Sequence, residues 1–366
     1  MTAENNRARE EVRRRAAARC REKGVVIPTL AEMRDPTRIP APIRQRLAKV
    51  RLTDVDPVNL FRITWKNDPE TGLFNDGNWL EFPPELTGVD ARIVGIVGKW
   101  FPTGAHKVGA GFGCLVPRLV AGEFDPTTQV AVWPSTGNFC RGGAFDCALL
   151  GCRSLAILPE EMSPERFQWL RSIGAEIIAT PGCESNVKEI YDECWNIRRT
   201  RPECVIFNQF EEFGNPIWHY HVTGAIIEEL FRRLAGPRDR LAGFASATGS
   251  AGTIGAADYL RTQHPAMVVT AVEALQCPTL LRNGFGAHRI EGIGDKHVPW
   301  IHNVRNTDAV VAIDDEDTIR ILRLFNEPAG QAWLAKQGVT KDVLEKLPLL
   351  GISGICNLLS AMKFAK

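Results

Sequence analysis

Between residues 129 and 313 the chain alternates short apolar runs with helical stretches of roughly ten residues, a pattern that few folds accommodate. Residues 129–133 (QVAVW), 154–157 (SLAI), 176–179 (EIIA), 205–207 (VIF), 241–247, 267–272 and 309–313 read as strands. Residues 142–150, 164–173, 186–198, 222–235 and 254–262 read as the helices between them. Helices placed between strands imply parallel pairing with crossovers, so the spacing predicts an open α/β architecture. A second α/β set begins at residue 205. The last helix opens near Ser353-Gly354 and runs through Leu358 and Met362.

The first 90 residues differ in character. Residues 7–23 (RAREEVRRRAAARCREK) make a charged helix, read as a solvated surface element. Pro28, Pro36, Pro40 and Pro42 then cut the chain into short pieces, with a short helix expected over residues 43–50. Phe61, Ile63 and Trp65 alternate with polar residues and predict a short strand, whereas residues 82–86 (FPPEL) read as a loop. Residues 1–90 are expected to form an N-terminal extension, and residues 91–366 the core, which opens on a strand within 91–98.

Charge and cysteine usage narrow the class. Forty-four basic residues face forty-three acidic ones, for a net charge of +1, so no overall field draws the chain to nucleic acid or anionic lipid. The ten cysteines include no C-x-x-C pair, Cys20 stands alone near the start, and Cys204, Cys277 and Cys356 fall in or beside apolar runs. That usage suits buried thiols in a reducing cytosol, not a disulfide framework or a zinc site. No run approaches the length of a membrane span. A cytoplasmic location is expected.

The chemistry concentrates in a few turns. Lys107 follows the turn Pro102-Thr103-Gly104 and precedes the small-residue run Gly109-Ala110-Gly111. A partner segment, Pro134-Ser135-Thr136-Gly137-Asn138, lies just beyond the next strand. The turn Gly249-Ser250-Ala251-Gly252-Thr253 joins a strand to a helix. Glycine lets such a backbone approach an anion closely, and the helix N-terminus supplies unpaired N–H groups. The plain alternative is a tight strand-to-helix turn. Glycines at 249, 252 and 255 do not have the G-x-G-x-x-G spacing, although Glu273 ends the following strand as a dinucleotide site would require. No Gly-Lys-Ser/Thr ending makes it a P-loop. Together the turns suggest an amine that forms a Schiff base, with backbone cradling a phosphorylated cofactor.

From about Ile93 onward these motifs resemble the fold-type-II pyridoxal-phosphate enzymes, in the cysteine synthase and cystathionine beta-synthase branch. The wording Thr103-Gly104-Ala105-His106-Lys107 is also similar to the tryptophan synthase beta chain. The resemblance implies two interleaved α/β domains with open, mainly parallel sheets and a cofactor cleft between them. The smaller would span about residues 133–240, and the larger the remaining segments. It implies pyridoxal 5′-phosphate as cofactor and Lys107 as the catalytic, Schiff-base lysine. Asn138 would bond the cofactor's 3′ oxygen, Gly249, Ser250, Ala251, Gly252 and Thr253 its phosphate, and Ser353 would face the pyridine nitrogen. Ser135, Thr136, Gly137, Asn138 and Gln209 would bind the substrate carboxylate. Residues 287–294 (AHRIEGIG) resemble the flexible segment that borders the active site in cysteine synthases.

The activity implied is β-replacement or β-elimination on an L-amino acid with a β leaving group. The alternatives are a serine or threonine dehydratase and a non-catalytic binding protein on the same scaffold. A homodimer acting on a small molecule is implied, with neither nucleic acid nor membrane as partner. The chain departs from the family pattern at Ala105-His106, at Val108, at Phe139-Cys140-Arg141 and in having one serine in the last motif. His106 is read either as a phosphate contact or as a residue that orients its loop. Cys140 is read as a small buried side chain. His219 and His221 could share one side of a strand or loop, and Tyr220-His221 ahead of a helix reads as surface.

Overall fold

The computed structural model describes residues 3–135, 137–182 and 187–366. Its strands form three groups. β1 (Trp79–Phe82) and β2 (Ile93–Ile96) pair antiparallel. β3 (Val130–Pro134), β4 (Arg153–Pro159), β5 (Glu176–Thr180) and β6 (Cys204–Ile206) form a parallel sheet in the order β5-β4-β3-β6. β7 (Gly243–Ala247), β8 (Val268–Ala274) and β9 (Ala309–Ile313) form a second parallel sheet in that order. The α/β expectation holds, with each parallel step bridged by a crossover.

Burial explains the strand sequences. Every residue of β3 is buried, because helices cover both faces of a central parallel strand. Trp133 and Phe207 stack at a centroid distance of 4.7 Å in the largest apolar core, which also takes in Phe139, Phe145 and Trp218. Leu80, Phe82, Ile93 and residues of the C-terminal third build a separate core with Phe325 and Leu358.

The helix Lys107–Ala121 organises the centre. Its small residues are there for close packing. A Cβ on Gly109 would lie 2.3 Å from the Trp218 ring, and one on Gly113 would lie 2.3 Å from the Gly214 carbonyl oxygen. The helix Asn138–Leu150 crosses at the same end, since a Cβ on Gly142 would stand 2.7 Å from the Lys107 carbonyl oxygen. These two approaches set Lys107 beside the turn that opens the second helix. Pro117 stays inside the first helix.

Two local expectations in the N-terminal region are overturned. Residues Pro57–Arg62 form a 3-10 helix instead of part of a strand. Asp56 caps it by accepting the Val58 N–H at 2.9 Å, Pro57 occupies its first position, and Arg62 and Thr64, which alternation would face outward, are buried along with Phe61, Ile63 and Trp65. Phe82 ends β1, and Pro84–Thr87 forms one helical turn, where a loop was expected. The charged N-terminal helix, Ala3–Lys23, lies against the end of the Lys107 helix. A Cβ on Gly122, which closes that helix at φ +71°, would fall 2.2 Å from the Arg9 carbonyl oxygen.

Candidate active site

A cavity of 1690 Å³ opens between the two parallel sheets, and Lys107, Ser135, Gly137, Asn138, Gln209, Gly249, Ser250, Thr253 and Ser353 all line it. It also extends along β2 and β7, whose outer edges carry no strand among the described residues. Thr136 lies outside the described residues.

Lys107 begins its helix, and its Nζ donates to Ser250 Oγ at 2.9 Å and to Gln209 Oε1 at 3.1 Å. Gln209 in turn donates from Nε2 to Ser135 Oγ at 3.4 Å. Three separate stretches of sequence thus meet at one amine. Burial pulls the Lys107 ammonium down to about 8, because a cation loses hydration there with no carboxylate to replace it.

Asn215 completes this network, and the sequence marked it only as part of a turn with Pro216. Its Nδ2 donates to Ser250 Oγ and to the Gln209 carbonyl oxygen, both at 3.1 Å. Its Oδ1 is buried and has no hydrogen-bond partner among the described residues. A Cβ on Gly252 would sit 2.0 Å from that oxygen, so the glycine turn closes directly over Asn215. An asparagine three residues before a helical tryptophan carries no signal that would have singled it out.

The turn over residues 249–253 has the form of an anion cradle. Among the described residues, none of its five N–H groups finds an acceptor within the protein. Ala251 takes φ +60°, a conformation that costs a non-glycine residue energy and turns successive N–H groups toward one side. The helix Ile254–Gln263 follows and aims its N-terminus at the same place. Ser246 and Thr253 brace the turn by a hydroxyl–hydroxyl contact of 2.5 Å. Ser353 stands in the first turn of the helix Ile352–Ala365, on another wall of the cavity. Unspent N–H groups at one end, a neutral hydroxyl at another and an amine of lowered basicity between them fit pyridoxal phosphate.

The rival reading of Glu273 as a ribose ligand fails. Its carboxylate accepts the N–H groups of Leu280 at 2.9 Å and Leu281 at 3.0 Å.

Two histidines lie beside Lys107, and His106 also lines the cavity. His219 is fully buried. Thr223 Oγ1 accepts the Trp65 indole N–H at 2.9 Å and shares a second hydrogen bond with His219 Nδ1, also at 2.9 Å. His106 stacks on Trp65 at 5.7 Å and meets His219 edge-on at 5.0 Å. Burial and the Lys107 charge push His106 down to about 3, and burial holds His219 well below the usual imidazole range. Both rings are neutral at physiological pH. Cys140 is buried, donates to the Gly137 carbonyl oxygen at 3.0 Å and is pushed up to about 12 by desolvation, as an inert thiol.

No helix among the described residues is long and apolar enough to cross a membrane. The chain is 29% identical over 266 residues to cysteine synthase B of Campylobacter jejuni, covering 72% of this chain and 80% of the relative. It is 28% identical over 230 residues to a probable cysteine synthase of Bacillus subtilis, covering 63% and 72%. A solved hydrogen sulfide-producing enzyme from Fusobacterium nucleatum superposes with a TM-score of 0.62 at 25% identity, over 75% of this chain and 76% of that one. The sequence model of the pyridoxal-phosphate dependent enzymes matches residues 101–333, well over half the chain. With the lysine, the anion cradle and the interdomain cavity in place, the chain belongs to the pyridoxal-phosphate dependent enzyme family.

Proposed function

We propose that this enzyme carries out β-replacement on an L-amino acid with a leaving group on its β carbon, as a cysteine synthase does. The observation that carries the reading is the convergence of Lys107, Ser250 and Gln209 at hydrogen-bond distance. Pyridoxal phosphate supplies an aldehyde that takes up amino groups and a conjugated ring that spreads negative charge from Cα.

The protein's own groups do the rest. The N–H groups of residues 249–253 hold the phosphate. Lys107 anchors the cofactor, and with its lowered basicity it removes the substrate's α proton near neutral pH. Ser135, Gly137, Asn138 and Gln209, with Thr136, bind the substrate carboxylate through neutral donors, so no salt bridge slows product release. Ser353 would offer the ring nitrogen a neutral hydroxyl, which does not favour its protonation as a carboxylate would. Residues 287–294, with Gly292 and Gly294 both at φ +83°, gate the cavity mouth. Asn138 is exposed, which suits a group that reaches out to cofactor and substrate.

A cytoplasmic homodimer that takes a small-molecule substrate and no nucleic acid accompanies this reading. The support is the balanced net charge of +1 and the exposed apolar side chains Phe213, Ile217 and Trp300.

The test is spectroscopic and then catalytic. Purified protein should absorb near roughly 410 nm with cofactor bound, and Lys107→Ala should lose that band. Incubation with O-acetyl-L-serine and sulfide should then yield cysteine. Pyruvate and ammonia in its place, at any sulfide concentration, would replace β-replacement by β-elimination.

A further inference from the structure

Replacement at Cβ by a thiol moves two protons, and Lys107 accounts for one of them. It takes the α proton and holds it until that proton returns to Cα, so it cannot accept another in between. A thiol of ordinary acidity, about 8.5, is only a few per cent thiolate at pH 7 and still has its proton to lose when it arrives. Ser135, Asn138, Gln209 and Ser353 are neutral, and His106, pushed down to about 3, is too weak a base.

Among the described residues four carboxylates line the cavity, and Asp90, Asp239 and Glu291 are exposed. The fourth, Asp295, is only 5% exposed. Its backbone is fixed beside the phosphate turn. Gly294 donates its N–H to the Thr248 carbonyl oxygen at 3.1 Å, and a Cβ on Gly249 would lie 3.3 Å from the Gly292 carbonyl oxygen. The Asp295 carbonyl oxygen accepts from Thr279 Oγ1 and, at 3.8 Å, from Cys277 Sγ. Its carboxylate accepts the Lys296 N–H on Oδ1 at 2.7 Å.

The charged neighbours leave that carboxylate available. Lys296 Nζ lies over the Phe285 ring at 4.4 Å, and His297 is exposed. Tyr191, on the helix Val187–Thr200, also lines the cavity and stays neutral, since burial and then the Asp295 charge raise its hydroxyl. Burial outweighs these influences and pushes the Asp295 carboxyl up to about 6, where a general base working at neutral pH belongs.

We propose that Asp295 is the general base that takes the proton of a thiol nucleophile, so that neutral thiols as well as sulfide serve as second substrate. The inference rests on the β-replacement proposed above. The Cβ–O bond of O-acetyl-L-serine breaks first, and acetate leaves with its electron pair. The S–H bond of the thiol then breaks, its proton passes to the Asp295 carboxylate, and its electron pair forms the S–Cβ bond. Lys107 returns its proton to Cα, and Asp295 passes its own to water. O-acetyl-L-serine and a thiol thereby give an S-substituted L-cysteine, acetate and a proton.

The test compares two thiols on the cofactor-loaded enzyme with saturating O-acetyl-L-serine. At pH 7 β-mercaptoethanol carries its proton, whereas thionitrobenzoate is already a thiolate. The ratio of kcat/KM for the first over the second should fall on the order of 100-fold in Asp295→Asn, and the ratio cancels any loss of folded enzyme. Asp295→Glu should recover part of it. With β-mercaptoethanol the unaltered enzyme should level off above about pH 6, whereas Asp295→Asn should keep gaining until the thiol itself ionises. Thioether formation with an unchanged ratio and an unchanged pH profile would make Asp295 a brace for the segment beside the phosphate turn. That result would overturn this proposal and leave β-replacement standing. Pyruvate and ammonia from both incubations, with no thioether, would overturn the two readings together.

Discussion

Lys107 Nζ and Ser250 Oγ lie 2.9 Å apart although 143 positions separate them in the chain. Ser250 belongs to the turn that leads into one helix, and Lys107 opens another. The contact joins the amine to the anion cradle, and Asn215 ties both to Gln209.

The lowered basicity of Lys107 sets a pH dependence for cofactor uptake. Only the neutral amine reacts with an aldehyde. The rate at which cofactor-free protein captures pyridoxal phosphate should rise about tenfold per pH unit and level off near pH 8, whereas an ordinary lysine would keep gaining to about pH 10.4. Stopped-flow absorbance across pH 6–10 checks it.

The same shift bears on stability without cofactor. A lysine depressed in the folded state contributes stability that is complete above its ordinary value of 10.5 and is lost as pH falls through about 8. Lys107→Met should therefore stabilise the cofactor-free chain at pH 7 by up to about 3 kcal/mol and flatten the rise between pH 8 and 10.5. Denaturant melts at several pH values measure this.

Gly252→Ala should damage cofactor binding more than folding. The new methyl would meet Asn215 Oδ1 at 2.0 Å and force the cradle away from Ser250. Overpacking of this kind costs about 1–3 kcal/mol. Fluorescence titration with pyridoxal phosphate should show at least a tenfold weaker complex.

Asp146 is a second target. It is fully buried, neither carboxylate oxygen has a partner among the described residues, and burial raises it well above the usual carboxylate range. A raised folded value means that its contribution is intact at acid pH, below 3.8, and erodes as pH rises toward the folded value. Asp146→Asn should stabilise the protein at pH 7 by about 1–3 kcal/mol and change little at pH 4. Thermal melts at the two pH values separate these outcomes.

Thr223→Val should be costly, because it strands the Trp65 indole N–H and His219 Nδ1 together. Each buried polar group left unpaired costs about 1–3 kcal/mol. Urea melts should show a loss of about 2–4 kcal/mol without a shift in the pH profile of activity, since both histidines stay neutral.

Local order explains what could be read in advance. The β3, β4 and β8 runs are apolar because they are buried in parallel sheets, and burial leaves a mark in composition. Lys107 and the turn at 249–253 were legible because a phosphate cradle needs glycine and a helix start side by side in the chain. The 3-10 helix Pro57–Arg62 was missed because its apolar spacing mimics a strand, and the Asp56 cap that decides otherwise is a single side chain. The burial of His219 was not legible because one histidine looks alike in solvent and in a core.

The amino-acid order by itself determined the α/β alternation and set a lysine and a glycine turn at helix starts, since each depends on neighbours within a few residues. Only the tertiary structure decided that Asn215 closes the network under Gly252, that His106 and His219 are neutral, and that Asp295 is buried on the wall of the cavity. Those relations arise between segments far apart in the chain, where packing distance and lost hydration, not local pattern, set the chemistry of each group.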